Sequence, residues 1–267
     1  MIETKALGVR LSGKIIISDI AFSARPGEVT AIVGPNGSGK TTLLRALSGD
    51  ISFTGTASLD GRSFADIKPW EMAARRAVLP QASALSFPFT VREIVKIGLT
   101  GGFSGVSRAE QEQLPDLALQ RVDLGDFGGR LYQELSGGEQ QRVQLARVLC
   151  QVWKPVVDGT PRYLFLDEPV SSLDIRHQIV VMEIARDFAT AGGGVIAILH
   201  DLNLTAMFAD RIAVMHRGRL DTMGTPQQAL TDERLERVYE CMLRVGVPPA
   251  RGVPFVLPQS AYRAAAE

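Results

Sequence analysis

Gly34-Pro35-Asn36-Gly37-Ser38-Gly39-Lys40-Thr41 is the stretch whose reading decides the fold. It follows a compact apolar run, Val29–Val33, and precedes residues 41–48, where Leu43, Leu44 and Leu47 fall on one side of a helix. Glycines let a backbone curl until successive N–H groups converge, and the helix that follows turns its positive end to the same point. Strand, glycine loop and helix together make a phosphate-binding loop. Gly34, Pro35, Asn36, Gly37, Ser38, Gly39, Lys40, Thr41 and Thr42 are therefore the candidate nucleotide-binding residues. Lys40 is placed for the β- and γ-phosphates, and the Thr41 hydroxyl for Mg²⁺. The loop by itself leaves ATP and GTP both open.

A second feature lies downstream. Tyr163-Leu164-Phe165-Leu166-Asp167-Glu168 is a buried strand ending in two acids. Beside a phosphate loop, Asp167 is placed to hold Mg²⁺ and Glu168 to accept a proton from, or orient, an attacking water. A third is Leu135-Ser136-Gly137-Gly138-Glu139-Gln140-Gln141-Arg142. Ser136 and Glu139 have capping-box spacing, which starts a helix at about 139. Two glycines at a capped helix start also leave bare N–H groups at a positive end, a second anion site. One phosphate loop per chain gives that site no use within the chain. A two-fold dimer does, with Ser136, Gly137, Gly138 and Glu139 closing on the nucleotide held by the other copy.

These motifs together resemble the ABC-type ATPases, with Leu135–Arg142 similar to that family's signature and the motif order running over residues 1–225. The resemblance implies ATP and Mg²⁺ as ligands. It also implies roles for weaker features: Gln81 senses Mg²⁺ and the water, His200 is the switch histidine at the γ-phosphate, and Asp174 is the acid of a dimer-contact loop, Ser171-Ser172-Leu173-Asp174. Catalysis then rests on Glu168, His200 and Gln81, and the metal on Thr41, Gln81 and Asp167. His177 and His216 are read as structural. Many family members carry an aromatic residue near positions 9–11 to stack on adenine, whereas this chain has Val9, Arg10 and Leu11.

The fold expected is α/β: a P-loop NTPase core with a mostly parallel sheet, an N-terminal antiparallel β subdomain and an inserted helical subdomain at about 90–150. β segments are expected at 2–11, 14–23, 52–60 and 77–81, the last ending in Gln81. Helices are expected at 175–190 and 202–208, with strands at 195–199 and 212–215. Residues 1–243 read as one ATPase domain. Residues 244–267 read as a Pro-rich extension whose Ala264-Ala265-Ala266-Glu267 end is disordered.

Composition agrees with a globular chain: 267 residues, 45% apolar and 22% charged. Lys plus Arg number 29 and Asp plus Glu 29, so no bulk charge points to nucleic acid. The N-terminus lacks the apolar stretch of a secretory signal, and no apolar run reaches the roughly 20 residues of a membrane span. Cys150 and Cys241 read as buried, reduced thiols. Without spans, a second cassette or a long coiled-coil insert, the chain resembles the separate ATPase subunit of an importer. That implies a homodimer on the cytoplasmic face of the cell membrane. Its partners would be two copies of a transmembrane permease and, indirectly, a periplasmic ligand-binding protein. The region from Phe87 to Ile94 and a long loop between Val152 and Pro161 are most similar to the haem-importer branch. Other importers, of siderophores or cobalamin, and an exporter built from separate chains are the alternatives.

Overall fold

A computed structural model of the chain describes residues 1–81, 87–249 and 252–261. The chain opens with β1 (Ile2–Leu11), β2 (Lys14–Ile20) and β3 (Ser23–Ala24), then β4 (Val29–Val33), the glycine loop and α1 (Lys40–Leu47). β5 (Thr54–Leu59), β6 (Arg62–Ser63), α2 (Pro69–Arg75) and β7 (Arg76–Leu79) follow, leading to Gln81. Short helices come next: α3 (Val91–Ile97), α4 (Arg108–Gln111), α5 (Leu114–Arg121) and the longer α6 (Gly137–Gln151). The remainder runs β8 (Val156–Val157), β9 (Thr160–Pro161), β10 (Tyr163–Asp167), α7 (Ile175–Thr190), β11 (Gly194–Ile198), α8 (Leu202–Phe208), β12 (Arg211–His216), β13 (Arg219–Gly224), α9 (Pro226–Ala229) and α10 (Asp232–Tyr239).

The central sheet has the order β13-β12-β4-β11-β10-β7, and only the edge strand β13 is antiparallel. β4, β10 and β11 are buried at every position. This is why they read as unbroken apolar runs rather than alternating ones, since both faces of such a sheet are covered. The alternation survives in what each face touches. Leu164, Leu166, Val195 and Ala197 join a core beneath the helices α3, α5, α6, α7 and α8. Tyr163, Phe165, Ile196 and Ile198 join a second core with α1 and the antiparallel sheet β2-β1-β5-β6.

The helical layer is fastened to itself by side chains aimed at helix ends. Buried Arg142 of α6 donates from Nη1 to Val122 O at 2.8 Å and Asp123 O at 3.1 Å, satisfying carbonyls past the end of α5. Thr90 caps α3, and the Glu93 carboxylate accepts from both Thr90 N and Thr90 Oγ1.

Several expectations shift in detail. Helices 175–190 and 202–208 begin and end where the apolar spacing placed them. The strand expected at 77–81 stops at Leu79, so Gln81 stands two residues beyond its end. The segment expected as one strand at 14–23 splits after Ile20: β2 pairs with Leu7–Leu11 of β1, and Ser23–Ala24 pairs further along the same edge with Ile2 and Glu3. α2 and the β8–β9 hairpin were not anticipated. Cys241 is exposed just past α10, which ends at a left-handed Glu240, so only Cys150 is the buried thiol expected. The Cys150 pKa is pushed up to about 12 by burial, which leaves that thiol inert. Ala264, Ala265, Ala266 and Glu267 lie outside the described residues, as do 82–86 between Gln81 and α3.

Candidate functional site

The site is assembled from the carboxyl ends of four neighbouring parallel strands. Gly34 follows β4, Asp167 closes β10, His200 comes two residues after β11, and Gln81 two after β7. Crevices at such strand ends are where open α/β sheets bind ligands. In this chain they form a cleft of about 540 Å³ lined by Ile16, Asn36, Gly37, Gly39, Lys40, Thr41, Thr42, Gln81, Glu168 and His200.

The loop needs glycine for a steric reason. A Cβ at Gly34 would stand 2.1 Å from Met215 O, and one at Gly39 would stand 2.4 Å from Ile17 Cγ2, with φ at +97°. Within this tight curl the Ser38 hydroxyl is buried without a hydrogen-bond partner among the described residues. Lys40 is buried, and its Nζ donates to Gly34 O at 2.9 Å and Pro35 O at 3.0 Å. Burial lowers its pKa, while Glu168 and Asp167 pull the other way.

Thr41 and Asp167 meet as expected, with Thr41 Oγ1 donating to Asp167 Oδ1 at 3.3 Å. Asp167 is 4% exposed, and burial first, then the neighbouring Glu168 charge, raises its pKa. A carboxylate penalised in this way gains from a cation, and the adjacent Thr41 and Asp167 oxygens are the hard donors Mg²⁺ prefers. Among the described residues no group of three or more His, Cys, Asp or Glu could hold a metal. A cation at Thr41 and Asp167 would thus take its remaining ligands from water and phosphate.

Glu168 is gripped from two sides. Gln81 Nε2 donates to its Oε2 at 3.0 Å, and His200 Nε2 lies 2.7 Å from its Oε1. His200 is itself positioned by its chain neighbour, because Asp201 caps α8 by accepting from Asn203 N and Leu204 N. Three residues linked only by resemblance in the sequence are therefore joined in one hydrogen-bonded group.

The signature residues lie elsewhere. Ser136, Gly137, Gly138, Glu139, Arg142, Ser172, Leu173, Asp174 and His177 line a second cleft of about 490 Å³, which shares no residue with the first. The capping box is present: Ser136 N and Oγ both donate to Glu139 Oε2 at 2.7 Å. Asp174 caps α7 by accepting from His177 N, and His177 Nδ1 lies 2.9 Å from both Asp174 carboxylate oxygens.

The sequence reading missed two residues. Ile16 presents an apolar side to the phosphate cleft, while Val9 is buried and Arg10 is spent on Gly13 O. Gln141 donates to Glu168 O at 2.8 Å. An alternating β pattern gives no sign that Ile16 lines the cleft, and Gln141 reads as one more polar helix residue.

Residues 17–171 match the ABC transporter family. The chain belongs to the ABC transporter family. It is 66% identical to the hemin import ATP-binding protein HmuV of Mesorhizobium japonicum, over 97% of this chain and 99% of that one. It is 56% identical to the protein of the same description in Rhizobium meliloti, over 98% and 99%. Its fold matches the solved structure of an ATP-binding subunit of an ABC transporter with a TM-score of 0.74 and 23% identity, covering 91% of this chain and 94% of the other. The chain is thus an ABC ATPase with a P-loop NTPase fold, an enzyme that binds ATP and couples its hydrolysis to transport. No helix among the described residues is long and apolar enough to cross a membrane.

Proposed function

We propose that the chain is the ATP-hydrolysing subunit of an importer of haem or a related iron complex, working from the cytoplasmic face of the cell membrane on a separate permease. The observation that carries the ATPase part is the grip on Glu168 by Gln81 and His200, at the mouth of the loop that holds Lys40 and Thr41. Haem as the transported ligand is supported by full-length similarity to proteins described as hemin import ATP-binding proteins, at 54–66% identity. Residues 1–243 form the ATPase domain in this reading, and 244–267 an extension.

The residues divide the work. Backbone N–H groups of residues 34–42, Pro35 excepted, and the Lys40 ammonium bind the phosphates, and Ile16 offers the base a surface in place of an aromatic ring. Thr41, Asp167 and, through water, Gln81 would hold Mg²⁺, which would supply positive charge to the bound phosphates. Glu168 takes a proton from, or orients, the attacking water. His200 holds the Glu168 carboxylate and faces the γ-phosphate. Ser136, Gly137, Gly138 and Glu139, with the Asp174 loop, complete the site of a second copy. The fact that the two clefts share no residue supports this reading: one chain supplies two halves, of two different sites. Closing two chains on two ATP molecules would pull on two permease subunits, and hydrolysis would release them.

The decisive experiment deletes the gene and supplies haem as the only iron source. Growth should be restored by the wild-type chain and not by Lys40→Ala. Unimpaired growth of the deletion strain on haem, with loss of growth on a siderophore or of cobalamin uptake, would reassign the ligand.

A further inference from the structure

Glu168 has φ at +52°, a left-handed conformation that side chains with a Cβ avoid. Three donors hold its carbonyl there. Two belong to the turn just after it, Ser171 Oγ at 3.2 Å and Ser171 N at 3.4 Å. The shortest is distant in sequence: Gln141 Nε2, at 2.8 Å. Gln141 lies on α6, the helix whose first turn is the signature. Its own Oε1 is buried without a hydrogen-bond partner among the described residues. Half of the amide is therefore left unsatisfied while the other half makes this one contact, an arrangement that costs free energy and calls for a reason. Three residues earlier, on the same face of α6, a Cβ at Gly138 would stand 2.9 Å from Ser172 O and 3.2 Å from Leu173 Cδ2. The signature helix thus sits against the 168–173 segment at two points, with no slack between them.

We propose that Gln141 is a positioning residue for Glu168, and that it ties each chain's signature helix to the hydrolytic carboxylate of its own site. The proposal rests on the two-chain reading above. In that reading the first turn of α6 receives the partner's nucleotide. Seating that turn presses Gln141 onto the Glu168 carbonyl and keeps the residue in its left-handed conformation. Its carboxylate is thereby kept between Gln81 and His200, where it already lies in the single chain. Occupancy of one half-site is in this way felt at the base of the other. The phosphate grip stands apart, because among the described residues Lys40 and Thr41 make their hydrogen bonds to Gly34, Pro35 and Asp167 rather than to Gln141.

The test is ATP turnover by the purified full-length chain carrying Gln141→Ala or Gln141→Met, the second keeping side-chain length without the donor. The expected result is a kcat at least about tenfold lower, with KM for MgATP within about twofold of wild type. Each variant should also form the ATP-bound dimer, as slow hydrolysis requires. In single-turnover experiments, adding Gln141→Ala to Glu168→Gln should cause no further loss, since both changes act on one step. Wild-type kcat in both variants, a KM that rises in step with the loss, or additive losses would each overturn the proposal. If Glu168→Gln itself turns over like wild type, the proposed base is wrong. If Glu168→Gln is inactive and both Gln141 variants are normal, only the coupling is wrong.

Discussion

At Asp167, burial and then the Glu168 charge raise the carboxyl pKa above its ordinary 3.8. A raised acid binds its proton more tightly in the folded chain than in the unfolded one. Its ionisation therefore lowers stability as pH climbs through 3.8 toward the raised value, and the loss persists at neutral pH. Asp167→Asn should accordingly raise the melting temperature of the nucleotide-free chain at neutral pH by a few degrees. The gain should vanish on titration below the ordinary aspartate range, while Mg²⁺-dependent turnover drops by about 10²-fold or more. A variant that melts lower than wild type would show that the Thr41 hydrogen bond outweighs the burial. Lys40 poses the complementary case, a buried ammonium satisfied by Gly34 O and Pro35 O that in the proposed function also binds phosphates. Lys40→Ala should weaken ATP binding by about 10²-fold, measured by calorimetry, because a charge-assisted contact is lost where water is scarce. At this scale the sequence was highly legible wherever spacing within one motif carries the chemistry, as in residues 34–42. It was silent at Gln141 and Ile16: Gln141 acts on a residue 27 positions away, and Ile16 lines a cleft with loop residues that begin at Asn36, 20 positions away.

Among the elements, the helix starts are the parts most exposed to pH. Glu93 has its pKa lowered below 4.5, first by the Thr90 backbone N–H and then by the Thr90 hydroxyl, both bound to its carboxylate. A depressed acid contributes stability above its unfolded value and loses it as pH falls through the folded one. Glu93→Gln should therefore lower the urea midpoint at neutral pH. The difference from wild type should shrink toward zero between about pH 5 and pH 3. A difference that stays constant across that range would assign the effect to something other than the capped carboxylate. Capped, periodic helices such as α7 were readable to the residue, because Asp174 marks the start and apolar spacing runs to the end. α2 escaped notice because its seven residues bury only Met72 and pass straight into β7 with no loop between them. The β8–β9 hairpin escaped because two-residue strands carry no alternation.

For the whole molecule, the central sheet is shared by two cores, so a defect in β10 is felt on both sides. Leu166→Ala removes a side chain with no exposure from the core under the helices and should cost about 2–5 kcal/mol of unfolding free energy in a urea titration. The assembly is tested without damaging either core. Gly137 has open space where a Cβ would go, so Gly137→Arg fits the fold while crowding the signature cleft. With MgATP present, Glu168→Gln should elute at twice the monomer mass. Adding Gly137→Arg should return it to monomer with ATP affinity kept. Retention of the dimer in that double variant would place the trans contact elsewhere.

The glycine loop, the two acids at the end of β10 and the capped signature were determined by the sequence alone. Each is a local motif in which neighbours along the chain do the chemistry, and backbone conformation follows from residue type. Which side chains meet across the sheet was decided only by the tertiary structure. Gln81, Glu168 and His200 converge because β7, β10 and β11 lie side by side in parallel, an order that no local pattern encodes. The left-handed turn at Glu168 and the Gln141 amide that holds it belong to the same class. Glutamate does not favour that conformation, and contacts made by distant parts of the chain stabilise it.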